Sequence, residues 1–295
     1  MVRINSVRYC FLLYALLVNQ EATVRGQVDP RLEPALHQIA KQASNFWRSA
    51  PSYVARETLK QKAIVPSRRK LRIGKAAEQP RTPSFKDREI VSYYGFSSYR
   101  AAPEALHEFR CVVAIDGKTV AEDRAARTKL AYILESNDDG RKRALSQEFQ
   151  KDGLGNSAID FGQVVLLFTQ SKLHQYSFEM RPSGLVGAEP ALTLAFRQTA
   201  GRESLHITEA GKKVERPIEG ELTVTEEDYR PLKVTLISKH WASNTDIRDH
   251  ATVEYAASRS GLMLPVSVSF RRYFNDELYA ESVAQYSDWR EAGAH

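Results

Sequence analysis

The chain has 295 residues, of which 42% are hydrophobic and 26% are charged, a composition typical of a soluble protein that can bury a sizeable core. Its formal net charge of +6 is mild, and the main basic cluster, residues 68–75, contains no interleaved aromatic residues, which argues against nucleic-acid binding. Cys10 lies in an apolar leader, so the mature chain keeps Cys111 alone, which excludes an intramolecular disulfide and a cysteine metal site.

Residues 1–26 have the three parts of a secretory signal peptide. Arg3 and Arg8 give a positive start, residues 10–18 are apolar, and a polar tail ends at Gly26. The apolar run is too short to span a bilayer comfortably, and no later stretch is long and apolar enough to do so. We therefore predict cleavage after Gly26 and a mature protein without a transmembrane span, in the periplasm or secreted. The alternative is an uncleaved membrane anchor or a mistranslated start.

Residues 27–50 contain an amphipathic helix, predicted over Arg31–Arg48. Its apolar residues fall on one stripe of a 3.6-residue period: Leu32, Leu36, Ile39, Ala43, Phe46 and Trp47. Pro30 suits the first turn and Pro51 ends the helix. The stripe predicts packing against a sheet, either as permanent core or as a removable plug over a cavity.

Residues 51–290 are predicted to form a single domain that begins with strands at 52–62, 88–100 and 108–115. Residues 65–83 are basic and rich in proline and alanine, which predicts an exposed loop. Its cluster at 68–75 is either solvated or in contact with phosphate or anionic lipid. Cys111 alternates with Phe109 and Val113, so we expect a small buried hydrophobic residue.

A helical insert is predicted between about 118 and 168, where the apolar period lengthens. One helix would end near Gly153, and a second, apolar helix would cover Ser157–Phe168, with residues 164–168 buried on most sides. Asp160-Phe161-Gly162 matches three letters of the kinase magnesium motif, but none of the other kinase motifs accompanies it. We therefore interpret Asp160 as a charge at the N-terminus of the second helix.

The remainder of the chain predicts antiparallel strands with one buried face. Val266, Val268 and Phe270 alternate with polar residues, as in a half-buried strand. Further strands are predicted at 175–181, 191–198, 204–208, 218–224, 232–237, 252–256, 264–274 and 278–289.

No catalytic, metal or cofactor motif emerges from the sequence. His240 and His250 lie ten residues apart across a predicted loop, without the spacing of a zinc site, and His206 beside Glu209 is an ordinary surface pairing. We therefore predict a protein that is not an enzyme and needs no cofactor. A hydrolase with a site assembled from scattered residues is the minor alternative.

Two sets of strand sequences resemble those of uncharacterised secreted bacterial proteins related to LolA-like carriers. They are Pro51–Leu59 with Glu89–Tyr93, and Ile218–Val224 with Arg230–Val234, Thr252–Tyr255 and Leu264–Val266. The resemblance implies an α+β fold in which a strongly curved antiparallel sheet forms an incomplete β-barrel with helices in its concave face. It also implies a hydrophobic cavity, since related folds bind lipids, lipoprotein acyl chains or unfolded outer-membrane protein tails.

These observations favour a cell-envelope protein that binds a hydrophobic ligand, such as a lipid or an acylated protein, between sheet and helices. Apolar side chains predicted to face the cavity, or alternatively to form plain core, are Phe46, Trp47, Phe161, Val165, Phe168, Val268 and Phe270. The alternative function is a protein-interaction or envelope-sensor module with a filled core and an envelope protein as its partner.

Overall fold

A computed structural model describes residues 29–65, 84–154, 160–201, 207–209, 212–214, 217–242 and 245–292. The predicted signal peptide, the basic cluster at 68–75 and His206 lie outside these residues. The α-helices of the described residues are α1 (Leu32–Ser49), α2 (Asp123–Glu135) and α3 (Asp139–Asp152). None of the described helices is long and apolar enough to cross a membrane.

The strands occupy most of the rest of the described chain. They are β1 (Tyr53–Val65), β2 (Ser84–Tyr99), β3 (Ala102–Ile115), β4 (Lys118–Thr119), β5 (Tyr176–Met180), β6 (Gly184–Val186), β7 (Glu189–Gln198), β8 (Ile207–Glu209), β9 (Lys212–Val214), β10 (Glu219–Thr225), β11 (Pro231–Ala242), β12 (Thr245–Ala257), β13 (Met263–Phe274) and β14 (Glu277–Glu291).

Twelve of these strands form one open antiparallel sheet. Its order is β4-β3-β2-β1-β14-β13-β12-β11-β10-β7-β5, with β6 also paired to β7, while β8 and β9 form a separate hairpin. The first and last long strands pair in the middle of the sheet, where Leu59 lies opposite Ala284. The path ends at β4 and β5 without closing, so the predicted α+β class and the incomplete barrel are confirmed.

The sheet is curved toward the face that carries the larger core. Phe96 on β2 and Tyr255 on β12 are four strand positions apart, which would separate them by roughly 19 Å in a flat sheet. Yet the ring of Phe46 on α1 lies 5.3 Å from Phe96 and 6.5 Å from Tyr255 between ring centroids. One side chain can reach both only because the sheet curls around it. We call this side the concave face.

Two layers fill the concave face. The inner one is a short 3₁₀ turn, Val164–Phe168, with Val165 and Phe168 fully buried. The buried hydroxyl of Tyr255 holds this turn to the sheet, because it donates to the Gly162 carbonyl (3.1 Å) and accepts from the Val165 amide (3.2 Å). The outer layer is α1, whose buried residues Ala35, Ile39, Ala43 and Phe46 belong to the same apolar cluster.

Helix α2 lies on the opposite, convex face. There Val54, Tyr93, Phe109 and Cys111 form a second apolar cluster with Leu130 and other residues of α2. A Cβ built on Gly95 would lie 2.7 Å from Leu134 Cδ1, so glycine permits this close packing. Cys111 is buried here, which confirms the expectation from its alternation.

One local prediction is wrong, and two strands are longer than predicted. Within the described residues, the expected helix over Ser157–Phe168 is only the 3₁₀ turn, because residues 160–163 are non-helical and the polar atoms of the turn bond to Tyr255 instead. His240 and His250 lie within strands that extend further than predicted. They lie on the paired strands β11 and β12, where His240 is opposite Ile247 and Ile237 is opposite His250.

Candidate functional site

A group of charged residues lies on the concave face, beneath the apolar layers. It consists of Glu57 on β1, Glu108 and Arg110 on β3, and Asp160 on the segment between α3 and the 3₁₀ turn. Inward positions alternate along each strand, so Glu57 shares its face with the buried Ala55 and Leu59. We call these four residues the Arg110 cluster.

The guanidinium of Arg110 contacts three carboxylates. Its Nε donates to both oxygens of Glu57 (3.0 and 2.8 Å), its Nη2 to Glu108 (2.9 Å) and its Nη1 to Asp160 (2.9 Å). The Glu57 and Glu108 side chains are 0% exposed, whereas that of Asp160 is 58% exposed. The cluster therefore connects the interior of the sheet to the surface at Asp160 only.

Neighbouring side chains hold this geometry. Ser92 on β2 donates to Glu57 (2.7 Å), which adds a bond to the most buried carboxylate. The Arg110 guanidinium lies 5.0 Å from the ring centres of both Tyr94 and Phe149, a distance at which an aromatic face attracts a cation. These contacts come from β2 and α3, so both elements help to fix the orientation of Arg110.

Burial and neighbouring charges raise the pKa values of both Arg110 and Glu108, although at Arg110 the two effects oppose each other. Burial disfavours the charge of Arg110, but the carboxylates of Glu57, Asp160 and Glu108 outweigh that effect and raise its pKa. Burial raises the pKa of Glu108 to about 8, with the charge of Asp160 adding to the rise and that of Arg110 opposing it. Burial thus favours the protonated form of Glu108, as expected where several carboxylates share one arginine.

Three further buried polar atoms lie around the cluster: Tyr94 Oη, Glu108 Oε1 and Tyr286 Oη, with Tyr94 beside Glu108 and Tyr286 beside Glu57. Two of them face Gly162, where a Cβ would lie 2.5 Å from Tyr94 Oη and 3.2 Å from Glu108 Oε1. Burial raises the pKa of both tyrosines, so their hydroxyls remain protonated and can donate. The site thus contains two buried hydroxyl donors next to its carboxyl groups.

A second buried ion pair lies further along the concave face. Arg272 on β13 donates to both oxygens of Asp249 on β12 (2.7 and 3.0 Å), and the two residues are directly opposite in register. Both side chains are buried, and the pair is complete in itself because each charged group is met by the other. We assign it a structural role.

A cleft of about 430 Å³ opens at the edge of β3, between α2 and α3. Lys129 of α2 and Glu148 of α3 bridge it with a 2.9 Å ion pair. The buried Cys111 thiol lies at its floor, where burial raises its pKa and so keeps it protonated. The cleft therefore has no activated nucleophile.

The structure brings together six of the seven residues predicted to face a cavity. Phe46, Phe161, Val165, Phe168, Val268 and Phe270 all belong to the concave apolar cluster, each no more than 7% exposed. Phe161 stacks on Phe270 with ring centroids 5.5 Å apart. Trp47 is separate from this cluster and is 39% exposed, because it lies on the side of α1 that faces away from the sheet.

The Arg110 cluster is not predicted by the sequence pattern, and the structure corrects the role expected for one of its members. Asp160 is not a helix N-terminal charge, since no helix starts there and its carboxylate pairs with Arg110. A signal did exist: Glu57 occupies an inward position between Ala55 and Leu59. A charged residue at such a position predicts a buried partner.

Within the part of the chain that the structure describes, no group of three His, Cys, Asp or Glu side chains is arranged to hold a metal ion. The carboxylates of the Arg110 cluster are satisfied by a guanidinium instead. The arrangement can therefore recognise charge and hydrogen-bonding groups through Arg110 and the tyrosine hydroxyls.

No protein-family model matches the chain, and no curated protein matches it. Three solved structures are similar to it. A DUF1329 family protein from Desulfovibrio piger has 9% identity and a TM-score of 0.39, over 89% of this chain and 94% of that one. A domain named for outer membrane lipoprotein sorting, from Vibrio parahaemolyticus, has 10% identity and a TM-score of 0.35, over 89% and 94%. A LolA superfamily protein from Nitrosomonas europaea has 10% identity and a TM-score of 0.30, over 87% and 93%. At such low identities and TM-scores, these similarities give no information about what this chain binds.

Proposed function

We propose that this protein is an exported, non-enzymatic protein of the cell envelope that binds a hydrophobic ligand, such as a lipid or the acyl chain of a lipoprotein. The ligand would lie on the concave face of the sheet, in the space that α1 covers. Export would use residues 1–26 as a signal peptide cleaved after Gly26, which would leave residues 27–50 as a covering helical segment and 51–290 as the binding domain.

The proposal is supported by a difference between the two layers on the concave face, which are attached to the sheet by different kinds of contact. The 3₁₀ turn is hydrogen-bonded to the Tyr255 hydroxyl at two backbone atoms. By contrast, within the described residues no hydrogen bond or ion pair joins residues 32–49 of α1 to another element, and the one side-chain bond of the helix, from Ser44 to Ala40, is internal. Among the described residues, α1 is therefore held against the other elements by apolar contacts.

Apolar contacts are non-directional, so an alkyl chain can replace those of α1 without leaving a buried polar group unpaired. The helix buries mainly small residues, together with Ile39 and Phe46. A flexible chain could take over this contact area while α1 moves outward. The same exchange at the 3₁₀ turn would break two buried hydrogen bonds and is therefore disfavoured.

The test combines native mass spectrometry with hydrogen exchange on the mature protein, using hexadecanoic acid and hexadecanol as probes. We expect one molecule of probe to bind, faster amide exchange in Leu32–Ser49, and unchanged exchange in Val164–Phe168. A probe that binds but protects α1 would contradict displacement of the helix. Failure of both probes to bind would remove the proposed function.

The second candidate is a protein-interaction module with a filled core. It is favoured by the burial of Phe46, Phe161 and their apolar neighbours in one cluster, and by the exposure of Trp241 (73%) on β11. An aromatic residue this exposed is a common anchor at protein interfaces. A stoichiometric envelope protein that still co-purifies after delipidation, and is lost in Trp241→Ala, would favour this candidate over ligand binding.

A further inference from the structure

The three carboxylates that surround Arg110 are not equivalent. Glu57 on β1 and Glu108 on β3 are fully buried, and the Glu57 carboxylate pairs with the arginine charge inside the sheet. Asp160 makes a single contact to Nη1, and its side chain is 58% exposed. Only Asp160 can leave the guanidinium by turning toward solvent, without any change in the strands.

We propose that Arg110 recognises the acidic head group of an amphiphilic ligand, and that this head group takes the place of the Asp160 carboxylate. This inference rests on the proposed function, since it names the class of hydrophobic ligand that the concave face would bind. The class is a long-chain amphiphile with one acidic group, a carboxylate or a phosphate.

Hydrogen-bonding groups around the cluster suit an acidic group better than a neutral one. The Arg110 Nη1 that pairs with Asp160 would be offered to the ligand, and a guanidinium matches carboxylate and phosphate geometry. The protonated hydroxyls of Tyr94 and Tyr286 lie beside the carboxyl groups of Glu108 and Glu57. Both can donate to an oxygen atom of the head group.

The charge of the site is conserved in the exchange. Asp160 contributes one negative charge beside Arg110, and a singly charged acid would contribute the same. A neutral head group would instead leave the Nη1 side of Arg110 without a charged partner, which is costly in a buried site. The cluster therefore discriminates against alcohols and esters of the same chain.

The position of Asp160 also connects the head-group site to the apolar face. Phe161, the next residue, stacks on Phe270 of β13 inside the concave cluster. Tyr94, whose ring lies 5.0 Å from Arg110, packs edge-on against Phe96, which in turn contacts Phe46 of α1. A ligand with its acid at Arg110 can thus run its chain along these rings into the space that α1 covers.

The experiment compares hexadecanoic acid, hexadecyl phosphate and hexadecanol on the wild-type mature protein and on Asp160→Asn. In the wild type we expect an acidic probe to bind more tightly than hexadecanol. In Asp160→Asn, where the internal competitor is gone, we expect the Kd of that acid to fall about tenfold while the Kd of hexadecanol stays the same. The better of the two acids distinguishes a carboxylate from a phosphate ligand.

Asp152→Asn is the matched control, because it removes an acidic side chain of α3 that makes no contact with Arg110. It should keep the wild-type ratio of acid to alcohol affinity, which separates loss of the competitor from a general change in charge. Equal affinities for acid and alcohol in both wild type and Asp160→Asn would overturn this inference and leave the proposed function standing. Failure of all three probes would overturn both.

Discussion

Glu108 is where burial and charge act most strongly on a single side chain. Its carboxyl is fully buried, and one oxygen accepts from Arg110 at 2.9 Å. Its pKa is raised to about 8 from an ordinary value of 4.5. The folded state therefore keeps a proton that the unfolded chain has already lost across that interval.

This difference predicts how stability depends on pH. Between about pH 4.5 and pH 8 the native state binds one more proton at Glu108 than the unfolded state, so the contribution of this group to the free energy of unfolding falls as pH rises. The slope for one proton is about 1.4 kcal/mol per pH unit.

Glu108→Gln should remove this pH-dependent component of the free energy of unfolding, as measured by urea unfolding at several pH values. Glu104→Gln, an exposed carboxyl of β3, is the control, and identical slopes in wild type and Glu108→Gln would contradict the assignment.

The charge of Asp160 should affect the titration of the Glu108 carboxyl. Its charge is among the causes that raise the pKa of Glu108. Asp160→Asn is therefore expected to lower the pKa of Glu108, measured by NMR titration of the glutamate carboxyl carbon. A pKa unchanged in Asp160→Asn would mean that the two carboxylates are not coupled through Arg110.

These residues were missed in the sequence for a definite physical reason. Along β3, Phe109, Cys111 and Val113 alternate as apolar residues, which predicts one buried face and leaves Glu108 and Arg110 for solvent. Both faces are in fact covered, by α2 on one side and by the layers of the concave face on the other. An alternation of apolar and charged residues along a strand predicts one buried face, so it does not reveal that the charged face is buried as well.

Among the elements, α1 was predicted closely and the 3₁₀ turn was not. The stripe of α1 extends over five turns and needs only one apolar surface to pack on, so its period alone defines it. Residues 160–168 depend instead on Tyr255 and Arg110, which are far away in sequence. Local periodicity contains no information about such bonds.

The attachment of α1 leads to a prediction about stability. Phe46 is 2% exposed and packs edge-on against Phe96, so Phe46→Ala should lower the free energy of unfolding by about 3–5 kcal/mol, as for other buried phenylalanines. Trp47→Ala, at the adjacent and exposed position, should cost a small fraction of that. Chemical denaturation of both variants makes the comparison, and equal losses would show that α1 does not pack through the Phe46 side.

At the scale of the whole molecule, the two apolar clusters share one set of strands. The concave cluster includes Ala55 and Tyr94 of β1 and β2, while the convex cluster includes their neighbours Val54 and Tyr93. The open antiparallel sheet was predictable because each strand has a period of two and a turn at its end. The convex position of α2 was not, since an amphipathic stripe does not specify which face of a sheet it covers.

Helix α3 connects the clusters, and this gives a prediction for unfolding. Leu145 packs in the convex cluster and Phe149 in the concave one, four residues apart on the same helix at the edge of β3. Because the strands and α3 serve both clusters, neither can unfold while the other remains intact.

Thermal unfolding followed by far-ultraviolet circular dichroism and by aromatic fluorescence should show one shared transition. Leu145→Ala and Phe149→Ala should each shift the whole transition to lower temperature, with a loss of about 2–5 kcal/mol. Two separate transitions, with Leu145→Ala moving only one of them, would mean that the faces of the sheet unfold independently.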